Sequence, residues 1–205
     1  HIRDLLAFKR LVPRRKKRIA RAPAQPLGPD PVNQLARRLH PDRQHLMIAE
    51  IRDETRTTRT FKLVADRNSD ADQLAYFRAG QYLSLKVAVD GVRITRPYSI
   101  SSAPFEALGT GGFYEITVRR EQDGFLTPHM WDSWAVGTQI ESSGPCGFFH
   151  YEPLRDAGQI VGLAGGSGVT PFRSMAREIA HGELDAALLL IYGSSDEDDV
   201  VFYDE

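Results

Sequence analysis

Only one cysteine, Cys146, occurs in 205 residues. No disulfide can therefore form within the chain, which suits a reducing compartment such as the cytoplasm. A cluster held by four thiolates is excluded from this segment for the same reason. Long apolar runs are missing too. Nothing approaches the roughly 18 consecutive apolar residues of a transmembrane helix. The opening HIRDLLAFKRLVPRRKKR breaks its apolar residues with charge, unlike the core of a signal peptide. The six histidines show no H-x-x-x-H type of spacing, so no metal site is expected. What is there is an ordinary globular composition, 41% hydrophobic and 26% charged, long enough to bury one large core or two small ones.

The net charge of −1 hides an asymmetry. Residues 1–40 carry 11 Lys/Arg against Asp4 and Asp30, a net +9, and the remainder carries −10. A basic arm on an acidic body fits docking on a neighbouring protein surface. Nucleic acid is not expected as a partner, because the arm lacks interleaved aromatics for stacking. Residues 22–36, APAQPLGPDPVNQLA, are rich in proline and read as a linker leading to a short helix. The expected domains are therefore an arm and linker over 1–40, one domain over 41–154 and a second beginning at 155.

From His45 to Gly147 the pattern has period two. HLMIAEIRDE, TRTFKLVAD, QYLSLKVAVDG, GVRITRPYSI, FYEITVRR and TQIESSGP predict six strands, hence a small antiparallel barrel. Asp90–Gly91 predicts a two-residue hairpin. One helix interrupts the strands, with Thr127 expected as N-cap and Pro128 as its first residue. After residue 155 the pattern changes to QIVGLAG, TPFRSMAREIAHG and AALLLIYG. This is apolar strand, helix, apolar strand, the unit of a parallel sheet. The final VVFYDE reads as part of an amphipathic helix, and the unpaired second strand leads us to expect that this domain continues past residue 205.

Three segments could hold a dinucleotide. GVRITRPYSISS places Arg96, Tyr98 and Ser99 at the end of a strand expected to be half-buried. Arginine recognises phosphate oxygens with both arms of its fork. Tyrosine offers a flat face to a ring, and serine a hydroxyl to a ring heteroatom. GGSGVTP, between strand and helix, lets backbone N–H groups approach a pyrophosphate at a helix start. DGFLT leads into the second such helix start. Together they suggest a flavin dinucleotide beside a nicotinamide dinucleotide.

At this level of detail the chain resembles the ferredoxin–NADP reductase superfamily. RPYSISS is similar to its R-x-Y-S flavin motif, VRREQDGFLT to its flavin-pyrophosphate turn, GPCGFF to the close of its flavin barrel, and GLAGGSGVTPFRSM to its nicotinamide-dinucleotide loop. The resemblance implies a six-stranded Greek-key FAD-binding barrel, then the first part of a parallel-sheet NAD(P)-binding α/β domain. It implies that Arg96 and Pro97 lie on the FAD pyrophosphate side, Tyr98 against the isoalloxazine and Ser99 near flavin N5, with Tyr98 and Ser99 as the catalytic pair. Gly124, Phe125, Leu126 and Thr127 would wrap the pyrophosphate. Gly166, Ser167, Gly168, Thr170 and Pro171 would receive NADH or NADPH. The Asp196–Asp199 run DEDD, near the family's adenine-ribose position and without arginine, favours NADH. Cys146, in the barrel-closing motif, is expected to be a buried, non-catalytic residue.

The implied function is an FAD-dependent oxidoreductase passing electrons from NAD(P)H to an iron–sulfur, ferredoxin-type acceptor, fused or separate. A [2Fe-2S] centre would lie in a module outside this segment. Two alternatives stand beside it: a flavin-bearing electron-transfer subunit of a larger complex without substrate reduction of its own, and a binding module without a working hydride site.

Overall fold

The computed structural model describes residues 2–22, 28, 30–68 and 73–205, and divides into two compact units, residues 1–35 and 36–205. In the first unit, α1 (Ile2–Arg21) is one long helix with Pro13 inside it and exposed Phe8, Leu11, Val12 and Ile19. The helix α2 (Pro31–Leu39) starts inside the expected linker. Asp30 caps it, accepting from Val32 N at 3.0 Å, and Pro31 at the first position has no N–H to leave unpaired. The Pro-rich residues 23–27 and 29 lie outside the described residues.

The barrel is built from β1 (Gln44–Asp53), β2 (Thr58–Ala65), β3 (Tyr82–Val89), β4 (Val92–Ser99), β5 (Phe113–Arg119), the short helix α3 (Thr127–Ser133) and β6 (Gln139–Ser142). All neighbouring strands are antiparallel, in the order β4-β3-β6-β1-β2-β5. The last strand returns between β3 and β1, the Greek-key step. An Ile100–Ile116 bridge brings the two edges together just past β4. Period two decides what lies inside. Leu46 and Ile48, Phe61 and Leu63, Leu83 and Leu85, Tyr114 and Ile116 alternate along their strands and are fully buried. Each such side chain contributes about 1.5–3 kcal/mol of burial. The β3–β4 hairpin turns at Asp90 and Gly91, with φ of 49° and 80°, the doubly positive geometry that favours this pair.

The second part of this unit is β7 (Gln159–Gly165), α4 (Thr170–His181) and β8 (Ala187–Gly193), with β8 parallel to β7 in register from Gln159–Ala187 to Gly165–Gly193. Phe172 and Met175 of α4 cover one face of the pair, packing with Ala79, Leu188 and Leu190. Gly162 is needed there: a Cβ would stand 2.7 Å from the Phe172 ring. Val161, Leu163, Leu189 and Ile191 remain exposed. The helix ends at Gly182 with φ 86°, a left-handed cap. The expected helix through VVFYDE is not formed: residues 201–204 are a turn, with Phe202 at φ 62°.

Candidate functional site

β4 is much more open than a half-buried strand. Ile94 and Tyr98 pack on the barrel core, yet Arg96, between them on the same face, is exposed. Its Nη1 donates to the Thr95 carbonyl at 2.9 Å, and among the described residues no carboxylate pairs with it. Pro97 is exposed beside it. Tyr98 is half-buried, and its hydroxyl donates to Met130 Sδ of α3 at 3.3 Å. Burial pushes the Tyr98 hydroxyl up from its ordinary pKa, against the opposing pull of Arg96, so the phenol stays protonated at neutral pH. Ser99 is half-buried and its hydroxyl has no protein partner among the described residues.

The turn into α3 differs from expectation in one respect. Leu126, not Thr127, is the N-cap, and Thr127 is already helical. The Thr127 hydroxyl closes the preceding turn instead, accepting from Glu121 N at 3.0 Å. This makes the turn tight at Gly124, where a Cβ would meet Glu121 O and Thr127 Oγ1 at 3.0 Å and press its neighbours outward. Phe125 is exposed, whereas Leu126 is drawn into the core. Of the four candidates here, Gly124 and Thr127 shape the cradle and Leu126 anchors it.

The glycine loop winds as a 3₁₀ turn, Gly166–Val169, that runs directly into α4. Gly166 has φ 50° and lies against Arg119 of β5, whose Nη1 would be 3.0 Å from a Cβ there. Gly168 is exposed, with nothing within 4 Å of a Cβ position. Ser167 and Pro171 are half-buried. Thr170 is buried and donates its hydroxyl to Ser167 O at 3.0 Å, so its side chain fixes the loop. Gly168 and Pro171 also border a cleft of about 800 Å³ lined by Phe149, Tyr151, Val161 and Leu163.

The three segments meet. Tyr98 and Met130 join the strand end to α3, and Arg119 joins the start of the 121–127 turn to the glycine loop. Arg119 was not among the expected residues, whereas its partner Asp199 was, but as free charge near the ribose. Asp199 is 2% exposed, pairs with Arg119 at 3.2 Å and accepts from Thr57 Oγ1 at 2.7 Å and from Thr55 Oγ1. Asp196 pairs with Arg56. Two of the four carboxylates expected near the ribose are therefore spent on the β1–β2 turn, and Glu197 and Asp198 remain exposed. Cys146 is half-buried rather than buried: its backbone pairs with Tyr82 and its Sγ rests 3.7 Å from the Tyr82 carbonyl.

An antiparallel barrel with an open arginine-bearing edge, followed by a β–α–β unit whose first turn is glycine-rich, defines a two-nucleotide architecture. The oxidoreductase FAD-binding domain model matches residues 45–151, more than half of the chain, and the oxidoreductase NAD-binding domain model matches residues 163–205. The chain belongs to the ferredoxin–NADP reductase superfamily. It is 29% identical over 163 residues to the glycine betaine monooxygenase reductase subunit of Chromohalobacter salexigens, covering 80% of this chain and 42% of that protein. It is 32% identical over 160 residues to the ferredoxin reductase component of 3-ketosteroid-9-alpha-monooxygenase of Mycolicibacterium smegmatis, covering 77% and 43%. Among solved structures, phthalate dioxygenase reductase superposes with a TM-score of 0.66 at 27% identity, covering 79% of this chain and 47% of that one. The chain spans less than half the length of these relatives.

The residues present fit FAD. The unpaired guanidinium of Arg96 suits a pyrophosphate, the free Ser99 hydroxyl suits a ring nitrogen, and the Gly124 turn offers backbone at a place a Cβ would fill. Among the described residues no helix is long and apolar enough to cross a membrane.

Proposed function

We propose that this chain is the flavin- and nicotinamide-binding part of an NAD(P)H oxidoreductase that delivers electrons to an iron–sulfur, ferredoxin-type acceptor. The observation that carries the reading is the approach of the glycine loop, at Gly166, to Arg119 at the end of β5, where the 121–127 turn begins. FAD, when bound, supplies hydride acceptance and one-electron release. Arg96 neutralises pyrophosphate charge, and the Gly124 turn seats it. Tyr98, held neutral and pinned to Met130, keeps a flat aromatic wall beside the ring site. Ser99 offers a hydroxyl to the ring edge. The Gly166–Gly168 turn at the start of α4 receives the nicotinamide dinucleotide phosphates, and the gain is one of proximity rather than acid–base work.

The acceptor class is supported by relatives whose names describe reductase components of monooxygenases, and by a solved relative titled for electron transfer from pyridine nucleotides to [2Fe-2S]. NADH is the preferred coenzyme in this reading. Its support is now Glu197 and Asp198, which leave negative charge beside the loop after β8. The nucleotide domain continues in further strands and helices that cover Val161, Leu163, Leu189 and Ile191, as parallel sheets require. The protein works in the cytoplasm, and α1, with nine Lys/Arg against Asp4, docks on an acidic neighbour. That same helix, with its exposed Phe8 and Ile19, favours the second reading, a subunit of a larger electron-transfer complex.

FAD content per chain and kcat/KM for both coenzymes test the proposal. One FAD per chain and a preference for NADH are expected. A colourless protein contradicts the flavin reading, and a preference for NADPH contradicts the coenzyme assignment.

A further inference from the structure

Arg173 of α4 is only 7% exposed, and the acceptors its guanidinium reaches all lie outside its own helix. Burying a guanidinium is costly unless several acceptors replace water, and here they come partly from the barrel and partly from the chain after β8. Its Nη1 donates to Glu115 Oε2 of β5 at 2.7 Å and to the Ser101 carbonyl at 3.1 Å. Its Nε and Nη2 donate to the two carboxylate oxygens of Glu205, each at 2.7 Å. The Phe202 ring stacks on the guanidinium plane at 4.4 Å. The next residue repeats the pattern: Ser174, fully buried, donates its hydroxyl to the Ser102 carbonyl at 2.6 Å.

The barrel side of this contact is equally fixed. Ser101 N donates to the Glu115 carbonyl at 2.8 Å, and Glu115 N donates to Ser102 Oγ at 3.0 Å. The Ser101 hydroxyl joins Thr117 at 2.9 Å, and Thr117 joins Thr60 at 2.7 Å. Ser101 and Ser102 thus form a rigid continuation of β4 laid on β5, and α4 grips the carbonyls of both.

Position along the chain gives this contact a meaning beyond stability. Ser101 is two residues past Ser99, about 7 Å of extended chain. Arg173 is two residues past Pro171, within one helical turn of the glycine loop, at about 1.5 Å of rise per residue. A single buried contact therefore ties the strand end that carries Arg96, Tyr98 and Ser99 to the helix start that carries Gly166–Pro171. Displacement of reacting groups by about 1 Å can cost on the order of a hundredfold in rate. A charged anchor, with two Arg173 bonds and one Ser174 bond crossing to the barrel, resists such a slip better than an apolar contact, which lets a helix slide.

We propose that Arg173 and Ser174 are positioning residues that hold the nicotinamide loop in register with the flavin strand, so that they set the rate of hydride transfer rather than the affinity for either nucleotide. The inference rests on the reading of the site as an FAD and nicotinamide pair. Arg177, which donates to Glu106 Oε1 at 2.9 Å one turn later, and the stacked rings of Phe105 and His181 at 3.9 Å extend the same contact along α4.

The test uses the full-length protein. Arg173→Met alone would leave Glu115 buried with half its partners, so it is paired with Arg173→Met/Glu115→Gln, which removes the charge from both sides, and with Ser174→Ala. Four quantities are read: FAD per chain, the dissociation constant of NAD⁺, the limiting rate of flavin reduction by NADH in stopped flow, and amide exchange of Ser101 and Ser102. For the double variant we expect unchanged FAD content, an NAD⁺ dissociation constant within about threefold of wild type, a limiting rate at least tenfold lower and faster exchange. Arg173→Lys should recover part of the rate. A folded double variant with a wild-type limiting rate overturns the proposal, as does a loss confined to FAD or NAD⁺ affinity. A double variant that fails to fold leaves Ser174→Ala to decide: a wild-type limiting rate there overturns the proposal and a lowered one supports it. A wild-type protein that holds no FAD, or holds it without being reduced, overturns the functional reading and this inference with it, which separates the two failures.

Discussion

Arg96 stands at the end of β4 with its guanidinium in solvent and, among the described residues, only a neighbouring backbone carbonyl as partner. A cation placed so has little structural work to lose, so its removal should be read almost wholly in ligand binding. Arg96→Ala is expected to lower FAD affinity at least tenfold, about 1.4 kcal/mol, measured as flavin retained after dialysis. Unchanged retention would assign Arg96 another role. Ser99 is the complementary case, a hydroxyl without a partner among the described residues, whose loss would remove the proposed contact to a ring edge. Ser99→Ala should slow flavin reduction while leaving bound FAD nearly constant, because orientation at the reacting atom weighs more on the transition state than on binding. A wild-type reduction rate would contradict that. Both residues were legible in the sequence because R-P-Y-S is a local pattern. Leu126 and Thr170 belong to local patterns as well, yet their side chains face inward, a distinction that only packing draws.

At the scale of elements, the loop after β8 shows what local reading misses. The DEDD run reads as free negative charge, but Asp199 meets Thr55 and Thr57 from more than 140 residues away. No short-range signal announces such a pairing. Burial by itself would raise the Asp199 carboxyl, but hydrogen bonds from Thr55 and Thr57, with Arg119 and Arg56 nearby, outweigh it and hold the group below its ordinary value of 3.8. A lowered folded pKa means that the stabilisation is fully present above the unfolded value and is lost as pH falls through the folded one. Asp199→Asn should therefore reduce stability at about pH 6, and the gap to wild type should close as the pH falls below about 4, read from urea midpoints. A variant as stable as the wild type at about pH 6 would show that the loop is held by other contacts. The buried Arg173–Glu115 pair was equally invisible, since arginine on a helix reads as a solvated face until the partner strand is known.

For the molecule as a whole, the six strands were legible from period two, the β3–β4 turn from Asp90–Gly91, and the parallel pair from two continuous apolar runs. The insertion of β6 between β3 and β1 was legible only through the family resemblance, because sheet order depends on long-range pairing that alternation does not encode. The openness of β4 was hidden for a related reason: Ile94 and Tyr98 alternate like core residues, and only the closure at Ile100–Ile116 leaves the Arg96 stretch uncovered. Buried contacts tie the barrel edge at the end of β4 to α4 and its glycine turn, where the proposed function seats the flavin and the nicotinamide dinucleotide. The central claim is that the two sites form one hydride-transfer unit. Anaerobic titration of the purified, FAD-containing full-length protein with NADH, followed by flavin absorbance, tests this most directly. The account predicts complete bleaching at about one NADH per FAD, two electrons for two, with about half an NADH more where a fused [2Fe-2S] centre takes one further electron. A flavin spectrum unmoved by excess NADH would contradict it.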